Sequence, residues 1–242
     1  MTDHRLVAVV PAWNEAGAIG GVVDEIRAFD PRIDVVVVDD ASTDDTVDVA
    51  RTHGAKVLAL PFNVGIGGAV QTGFRYARDE GYAVAVRLDG DGQHAAEELG
   101  KLLAPIRAGE ADLVIGSRFV DPDGTYRPPF ARRMGIRVFA RLVSLLGGQK
   151  VTDTTSGFSA LDRTAIELFA TEYPHDYPEV ESTLVALRSG LRLVQVQVDM
   201  RERQAGTSSI TFVRSLYYIV KVMLALLVAS LRRYPRLEAA RR

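Results

Sequence analysis

Short apolar runs rich in valine alternate with longer amphipathic stretches along the first half of this 242-residue chain. The apolar runs cover residues 6–10, 35–38, 56–60, 83–88 and 112–116. The stretches between them are each long enough for a helix, at residues 17–29, 44–53, 67–80 and 95–108. Apolar strands that alternate with helices are typical of a mostly parallel sheet covered on both faces. We therefore predict an α/β fold.

A polar segment follows each of the five predicted strands. These segments are PAWNE (11–15), DDASTDD (39–45), PFNVGIGG (61–68), DGDGQH (89–94) and SRF (117–119). In α/β sheets, ligands bind outside the carboxyl ends of the strands. The pattern therefore predicts that all five segments lie on the same, ligand-binding edge of the sheet.

The pattern is less regular after residue 120. Residues 120–130 are rich in Pro and Gly and predict a loop, residues 131–148 predict an amphipathic helix that ends at glycine, and residues 152–158 predict a polar turn. We find no internal repeat and no low-complexity linker. We expect one main domain over residues 1–210 and a helical extension over residues 211–242.

Composition limits the chemistry of the site. Apolar residues make up 47% of the chain, which is enough for a sizeable core, and there is no cysteine. The four histidines lie far apart in sequence, so any metal would be held mainly by oxygen ligands. The opening residues MTDHRLVAVVPAW reach a proline after five apolar residues, which is not typical of a signal peptide. We therefore expect a cytoplasmic protein.

Charge is unevenly distributed. Residues 201–242 contain nine Lys and Arg against two Glu, which leaves about -9 for residues 1–200 of the total of -2. The same region has an apolar run at residues 222–231, half the length that a bilayer-spanning helix needs. This favours an amphipathic helix within residues 211–233 that lies on an anionic membrane surface at the inner face, and it disfavours nucleic acid. A core helix, a homo-oligomer or a small membrane partner protein is the alternative.

Asp89 and Asp91 lie two residues apart after the fourth strand, so both can face the ligand edge, and Gly90 lets the backbone turn there. Paired carboxylates suit Mg²⁺ or Mn²⁺, which complete their coordination with substrate phosphate oxygens. Gln93 or His94 could add a ligand or orient one. The alternative interpretation is an acidic turn that caps the next helix.

Two further segments suggest a nucleotide. Asp39 and Asp40 end the second strand, where carboxylates commonly bind a ribose or a base, whereas residues 42–45 are explained by capping of the next helix. NVGIGGA (63–69) lacks the Lys-Ser/Thr of a P-loop and has Val70 where a dinucleotide motif needs glycine. Its glycines, Gly67 among them, therefore allow either tight packing or close approach of a nucleotide.

Seven segments in this order, PAWNE, VVDDASTDDT, NVGIGGA, LDGDGQH, IGSRF, DTTSGF and RERQAGTSS, resemble family 2 glycosyltransferases of the GT-A fold. The resemblance covers roughly residues 5–210. It is closest to the branch of dolichyl-phosphate mannose synthases and bacterial polyprenyl-phosphate glycosyltransferases. It implies a Rossmann-like, mostly parallel sheet flanked by helices, followed here by the C-terminal amphipathic helix.

The resemblance also implies roles for individual residues. A nucleotide-diphosphate sugar would be bound by Pro11, Ala12, Asn14, Glu15, Asp39, Asp40, Gly67, Asp89 and Gly90. The metal would be held by Asp89, Asp91 and Gln93, and the acceptor phosphate by Arg118, Arg132, Arg133 and Ser208. Arg203 matches a basic position at the donor diphosphate. Relatives often have Ser-Lys where this chain has Ser208 and Ser209, so the lysine's contribution is absent.

The implied activity is a metal-dependent, inverting transfer of a sugar from a UDP- or GDP-sugar to polyprenyl phosphate. Asp91, through the metal, and Arg203 would stabilise the charge that develops on the leaving nucleoside diphosphate. A phosphate acceptor arrives ionised and needs no strong base. A hydroxyl acceptor would need one, and Glu181 or Glu179 is the candidate by position.

Three other functions remain open. The first keeps the fold and uses a saccharide or small-molecule hydroxyl acceptor. The second is a sugar-1-phosphate nucleotidyltransferase, which would need a basic glycine-rich loop after the first strand, where PAWNEAGAIGG has no Lys or Arg. The third is a non-catalytic scaffold subunit, against which Asp89, Asp91 and Arg203 argue.

Overall fold

The structure is a computed structural model that describes residues 5–120, 130–201, 212–232, 234, 235 and 237. The strands are β1 (Leu6–Ala12), β2 (Asp34–Asp39), β3 (Lys56–Ala59), β4 (Val84–Arg87), β5 (Leu113–Ser117), β6 (Ser159–Asp162) and β7 (Leu193–Gln197). The helices are α1 (Ile19–Phe29), α2 (Thr46–Thr52), α3 (Gly65–Asp79), α4 (Leu99–Arg107), α5 (Phe130–Gly147), α6 (Arg163–Thr171), α7 (Pro178–Arg188) and α8 (Phe212–Leu231).

The strands form one sheet in the order β3-β2-β1-β4-β6-β5-β7. Strand β6 is antiparallel to both of its neighbours, and the other pairs are parallel. The predicted mostly parallel α/β sheet is therefore confirmed. The carboxyl ends of β2, β1 and β4 are neighbours, so the loops that follow these strands meet at one edge.

Alternate residues of the central strands enter different cores, which explains their uninterrupted runs of valine. Ala8, Val10, Val35 and Val37 pack with α1 and α4, and Val7, Val9, Val36 and Val38 pack on the opposite face with α3 and α6. All of these side chains are at most 4% exposed. The sheet is thus a rigid, two-faced core that fixes the strand ends.

The second half contains elements that the sequence pattern did not predict. Strand β6 has only four residues, and its last, Asp162, accepts a hydrogen bond from the backbone N–H of Ala165 at 2.9 Å and so caps α6. Strand β7 has mostly half-buried side chains at the end of the sheet. Short or partly exposed strands give weak hydrophobic patterns, and for this reason the chain looked irregular after residue 120.

Helix α8 packs one face against α5 and α7. Its Val222, Leu226 and Ala229 are buried in a third apolar cluster, to which α5 contributes Phe139 and Val143 and α7 contributes Leu184. The division into residues 1–210 and 211–242 stays a prediction. Within the residues that the structure describes, no helix is both long enough and apolar enough to cross a membrane.

Candidate functional site

The loops after β1 and β2 are joined by side-chain hydrogen bonds. Asn14 Oδ1 accepts from the backbone N–H of Thr43 at 2.8 Å, and its own N–H donates to Ser42 Oγ at 2.9 Å. Asn14 has a φ of 55°, in the left-handed region that asparagine tolerates better than most residues. The N–H of Glu15 donates to Thr46 Oγ1 at 2.9 Å. The predicted donor-binding segment PAWNE is therefore held firmly against the second strand's loop.

Asp39 and Asp40 are both buried but have different surroundings. Asp40 Oδ1 accepts a hydrogen bond of 2.7 Å from the backbone N–H of Val64, just before α3. Asp39 Oδ2 accepts from the N–H of Ser42 at 3.2 Å, whereas its Oδ1 is buried and has no partner among the described residues. Buried acceptors are nearly always paired. Asp40 therefore has a structural role, and Asp39 has an oxygen available for a ligand.

The Asp89–Gln93 turn follows β4 directly. Asp91 Oδ1 accepts from the backbone N–H of Gln93 at 3.1 Å, and the side chain of Asp89 is 31% exposed. The backbone turns at Gly90 and Asp91, as predicted, although the positive φ of this turn, 76°, is at Gly92. Gly90 is required for another reason: a Cβ there would lie 3.0 Å from the carbonyl oxygen of Pro11. This close approach brings the ends of β4 and β1 together.

Two buried side chains of the same segment hold Asp89. The guanidinium of Arg87 donates to Asp89 Oδ1 at 3.2 Å, and the backbone N–H of Asp89 donates to His94 Nδ1 at 3.0 Å. His94 is stacked on Phe158 with 4.8 Å between ring centroids. Burial lowers the pKa of His94, so the neutral imidazole that accepts at Nδ1 is favoured. His94, which the sequence left between two roles, therefore positions Asp89.

Arg87 is also bound to the start of α7. It donates to Glu179 Oε1 at 2.7 Å and to the hydroxyl of Tyr173 at 3.1 Å. Burial alone would lower the pKa of Arg87, but Tyr173, Asp89 and Glu179 together hold it above its ordinary value. The guanidinium is therefore a permanent cation. Sequence reasoning missed Arg87, although an arginine that ends the apolar run VAV was a usable signal.

The chain after β7 is attached to the same turn. Met200 forms a β-bridge with His94, and the N–H of Arg201 donates to the carbonyl oxygen of Gln93 at 3.0 Å. Arg201 also pairs with Glu25 of α1 at 2.6 Å. The chain is thus beside the Asp89–Gln93 turn as it enters RERQAGTSS. Arg203 and Ser208 lie outside the described residues.

Of the predicted acceptor-binding arginines, the structure describes the side chain of Arg118. Arg118 is 7% exposed, and its Nε donates to Asp153 Oδ2 at 3.0 Å while Nη2 donates to Thr155 Oγ1 at 2.7 Å. Asp153 is fully buried. Arg118 therefore fixes the polar turn at residues 152–158 to the end of β5. Arg132 and Arg133 lie in the first turn of α5, and their side chains are outside the described part of the structure.

Gly67 has a packing role. A Cβ there would lie 2.5 Å from the carbonyl oxygen of Pro174 and 2.6 Å from Cα of His175. Helix α3 can therefore approach the loop between α6 and α7 only with glycine at this position. Of the two readings that the sequence left open for these glycines, tight packing has direct support, and contact with a nucleotide stays a prediction.

The two glutamates at the start of α7 have different environments. Glu179 contacts Arg87, as described above. Burial raises the pKa of Glu181, and the charges nearest to it belong to Asp176 and Arg232. Residues two apart on a helix do not share a face. The structure therefore brings Glu179, and not Glu181, to Asp89; the base role predicted for Glu181 stays a prediction.

The donor set is suited to a divalent cation that binds together with a phosphate ligand. No group of three or more His, Asp or Glu side chains in the described ranges could hold a metal ion by itself. Asp89 and Asp91 supply two carboxylates at a strand end, and Gln93 follows them. Mg²⁺ is usually bound by one or two carboxylates plus substrate phosphates. This set fits that mode of binding.

Comparison with known proteins also indicates a glycosyltransferase. The model of the family "Glycosyl transferase family 2" matches residues 7–169. The chain is 35% identical over 215 residues to undecaprenyl-phosphate mannosyltransferase of Micrococcus luteus, covering 86% of this chain and 88% of that protein. It is 33% identical over 221 residues to polyprenol monophosphomannose synthase of Mycolicibacterium smegmatis, covering 86% and 82%.

Among solved structures, the chain resembles glucosyl-3-phosphoglycerate synthase of Mycobacterium tuberculosis, crystallised with Mn²⁺, UDP and glucosyl-3-phosphoglycerate. The TM-score is 0.72 at 23% identity, and the match covers 94% of this chain and 80% of that one. This similarity concerns the fold, which is GT-A as predicted. The family match, the two relatives and the carboxylates at the strand ends together establish that the chain belongs to glycosyl transferase family 2.

Proposed function

We propose that this family 2 glycosyltransferase moves a sugar from a nucleotide-diphosphate sugar to polyprenyl phosphate, with inversion, at the inner face of a membrane. One observation carries the proposal. The Asp89–Gln93 turn lies at the end of β4, and the buried Oδ1 of Asp39, which has no hydrogen-bond partner among the described residues, lies at the end of β2, with only β1 between the two strands. A diphosphate that bridges a metal and a ribose would occupy that edge.

For the donor, we assign the nucleoside to Pro11, Ala12, Asn14, Glu15 and Asp39, and the metal to Asp89, Asp91 and Gln93. Mg²⁺ or Mn²⁺ would supply a Lewis acid that stabilises the negative charge on the departing diphosphate. Arg203 adds a fixed positive charge for the same purpose. Arg201, two residues before Arg203, is hydrogen-bonded to Gln93 of the proposed metal site, which supports this assignment.

For the acceptor, the names of the two relatives favour a polyprenyl phosphate. A phosphate monoester is ionised at neutral pH and therefore needs no general base. Arg132, Arg133 and Ser208 are assigned to the acceptor phosphate. Arg118 supports them indirectly, because Asp153 already binds its guanidinium.

A lipid acceptor requires contact with the membrane, and two helices supply a suitable surface. On α8, Leu224, Leu227 and Leu231 are 60%, 55% and 80% exposed, and Leu145 of α5 is 80% exposed. The sequences of α5 and α8 contain six Lys and Arg and no Asp or Glu. Apolar side chains flanked by basic ones favour an interfacial helix on anionic lipid. A homo-oligomer or a small membrane partner protein is the alternative use of this surface.

A donor and acceptor panel tests the catalytic proposal. Purified protein is incubated with radiolabelled UDP- and GDP-sugars and short-chain polyprenyl phosphate, with and without EDTA. We expect label in the organic phase that depends on metal and is lost in Asp91→Ala. Asp48→Ala, which removes an exposed carboxylate of α2, is the matched control and should retain activity. Label transferred only to water-soluble products would contradict the lipid acceptor and favour the alternative with a hydroxyl acceptor.

Vesicle binding tests the membrane proposal separately. We expect the protein to sediment with vesicles that contain anionic lipid, and a Leu224→Glu, Leu227→Glu double variant to remain in solution. Because both leucines are largely exposed, this variant should keep the thermal stability of the wild type. Wild-type-like sedimentation of the variant would contradict the assignment, and a change in molecular mass by light scattering would favour an oligomer contact.

A further inference from the structure

We infer that Arg87 and Glu179 are a positioning pair for the metal site, which sets the orientation of Asp89 and connects it to α7. This inference rests on the proposed function, because it assigns these residues a purpose in holding the metal ligand. Neither residue would itself touch the donor or the metal. They act through Asp89.

Stability alone does not account for a charge at the position of Arg87. Arg87 ends a strand whose other residues are apolar, its side chain is 3% exposed, and its Nε has no hydrogen-bond partner among the described residues. Replacing a buried ion pair by apolar residues of similar volume is often neutral or stabilising. An arginine that is buried and incompletely hydrogen-bonded therefore calls for an explanation beyond packing.

The charges around Arg87 are arranged so that one cation serves two carboxylates. One guanidinium nitrogen, Nη2, donates both to Asp89 Oδ1 at 3.2 Å and to Glu179 Oε1 at 2.7 Å. The shorter bond goes to Glu179, so the cation is drawn toward α7 and is not devoted to Asp89. Asp89 is thereby oriented by a cation that it shares with Glu179. Without Glu179, the guanidinium would pair with Asp89 alone.

The surroundings of the pair also restrict its position. A Cβ on Gly157 would lie 2.7 Å from Arg87 Nη2 and 3.1 Å from Asp89 Oδ1. The other terminal nitrogen, Nη1, donates to the buried hydroxyl of Tyr173 at 3.1 Å. The polar turn at residues 152–158 thus packs against the ion pair at Gly157, and Tyr173 anchors the guanidinium of Arg87.

The test measures Mn²⁺ binding by electron paramagnetic resonance, in the presence of UDP or GDP and without any acceptor. Outer partners of metal ligands typically contribute about 10- to 100-fold to metal affinity. We expect a loss of this size in Arg87→Met, a smaller loss in Arg87→Lys, and a clear loss in Glu179→Gln. In turnover assays, the Mn²⁺ concentration that gives the half-maximal rate should rise by a larger factor than the factor by which kcat falls.

Two further variants distinguish positioning from loss of fold. Arg192→Met removes the ion pair with Asp112 at the opposite edge of the sheet. It should lower the melting temperature and leave Mn²⁺ affinity unchanged. Gly157→Ala keeps every charge and displaces the pair, so it should weaken Mn²⁺ binding. If Arg87→Met does not fold, Glu179→Gln and Gly157→Ala decide the question, since the side chain of Glu179 is 26% exposed and neither change removes the cation.

The outcomes separate the two proposals. Wild-type Mn²⁺ affinity in folded Arg87→Met, or in both Glu179→Gln and Gly157→Ala, would overturn the positioning role and leave the proposed function intact. A wild-type protein that binds no Mn²⁺ with either nucleotide would overturn the metal site itself, and the positioning role with it. Weakened affinity in these variants with an unchanged Arg192→Met supports the inference.

Discussion

Adjacent aspartates at the end of β2 should respond in opposite ways to the same substitution. Asp39 and Asp40 are 3% and 4% exposed, so burial does not distinguish them. Their partners do, because Asp40 Oδ1 accepts from the N–H of Val64, whereas Asp39 Oδ1 has no partner among the described residues. We predict that Asp39→Asn lowers nucleotide affinity and that Asp40→Asn lowers stability.

The magnitudes follow from the hydrogen bonds. A hydrogen bond to a charged group contributes about 1.5–3 kcal/mol and a neutral one about 0.5–1.5 kcal/mol. Asp40→Asn should therefore cost about 1 kcal/mol of the unfolding free energy, or about 2–4 °C of melting temperature in a protein of this size. Asp39→Asn keeps an acceptor for Ser42 and removes a buried unpaired charge, so its unfolding free energy should be unchanged or higher.

Binding should show the reverse order. If Asp39 Oδ1 accepts a ribose or base hydrogen bond, its loss should weaken UDP or GDP binding by about tenfold or more, since 1.4 kcal/mol corresponds to a factor of ten. Isothermal titration calorimetry with Mn²⁺ measures the affinity, and thermal denaturation measures the stability. An Asp39→Asn protein that is less stable but binds both nucleotides normally would refute the reasoning, because the unpaired oxygen would then have a structural partner.

Three other predictions use packing and buried charge. Gly67→Ala should lower the unfolding free energy by about 1–3 kcal/mol, because a Cβ would collide with Pro174. Gly21→Ala should stabilise α1 by up to about 1 kcal/mol, because a Cβ there would have no atom within 4 Å. Urea denaturation measures both changes. Asp153→Ala should cost about 3–5 kcal/mol in the same assay, because it leaves Arg118 buried without its counter-charge. Leu226→Ala should cost about 2–5 kcal/mol, while Leu227→Ala, which is 55% exposed, should change thermal stability little but reduce vesicle binding.

Hydrophobic patterning predicted the part of the fold in which each strand is buried on both faces. Strands β1, β2 and β4 have side chains that enter both cores, so their apolar runs are uninterrupted and their ends were located to within two residues. Hydrophobic patterning did not predict strand β6. It is four residues long and runs antiparallel between β4 and β5, and its pairing partners are distant in sequence. The periodicity of hydrophobic residues within one segment does not reveal pairing with a strand that is distant in sequence.

The site residues, too, could be predicted only as far as they depend on local sequence and not on tertiary contacts. The positions of Asp39, Asp40, Asp89 and Asp91 after the strands follow from local pattern and from the rule for ligands in α/β sheets. Which of Asp39 and Asp40 has a free oxygen depends on Val64, some two dozen residues away, and the contact of Arg87 with Glu179 joins residues 92 positions apart. Such partners are set by tertiary packing, so the sequence could not rank the candidates.

The unpaired polar atoms of the core strengthen the assignment of the site. Among the described residues, four buried side-chain atoms lack a hydrogen bond: Asp39 Oδ1, Arg87 Nε, Thr154 Oγ1 and Ser189 Oγ. Three of them belong to the end of β2, the end of β4 and the turn at residues 152–158, where a Cβ added at Gly157 would lie 2.7 Å from Arg87 Nη2 and 3.1 Å from Asp89 Oδ1. Each unpaired buried group costs about 1–3 kcal/mol. Departures from local stability are expected at functional sites, where they are retained for binding or catalysis. Their concentration at one edge of the sheet is therefore independent support for a ligand site there, since it depends on neither the acidic motif nor the family match.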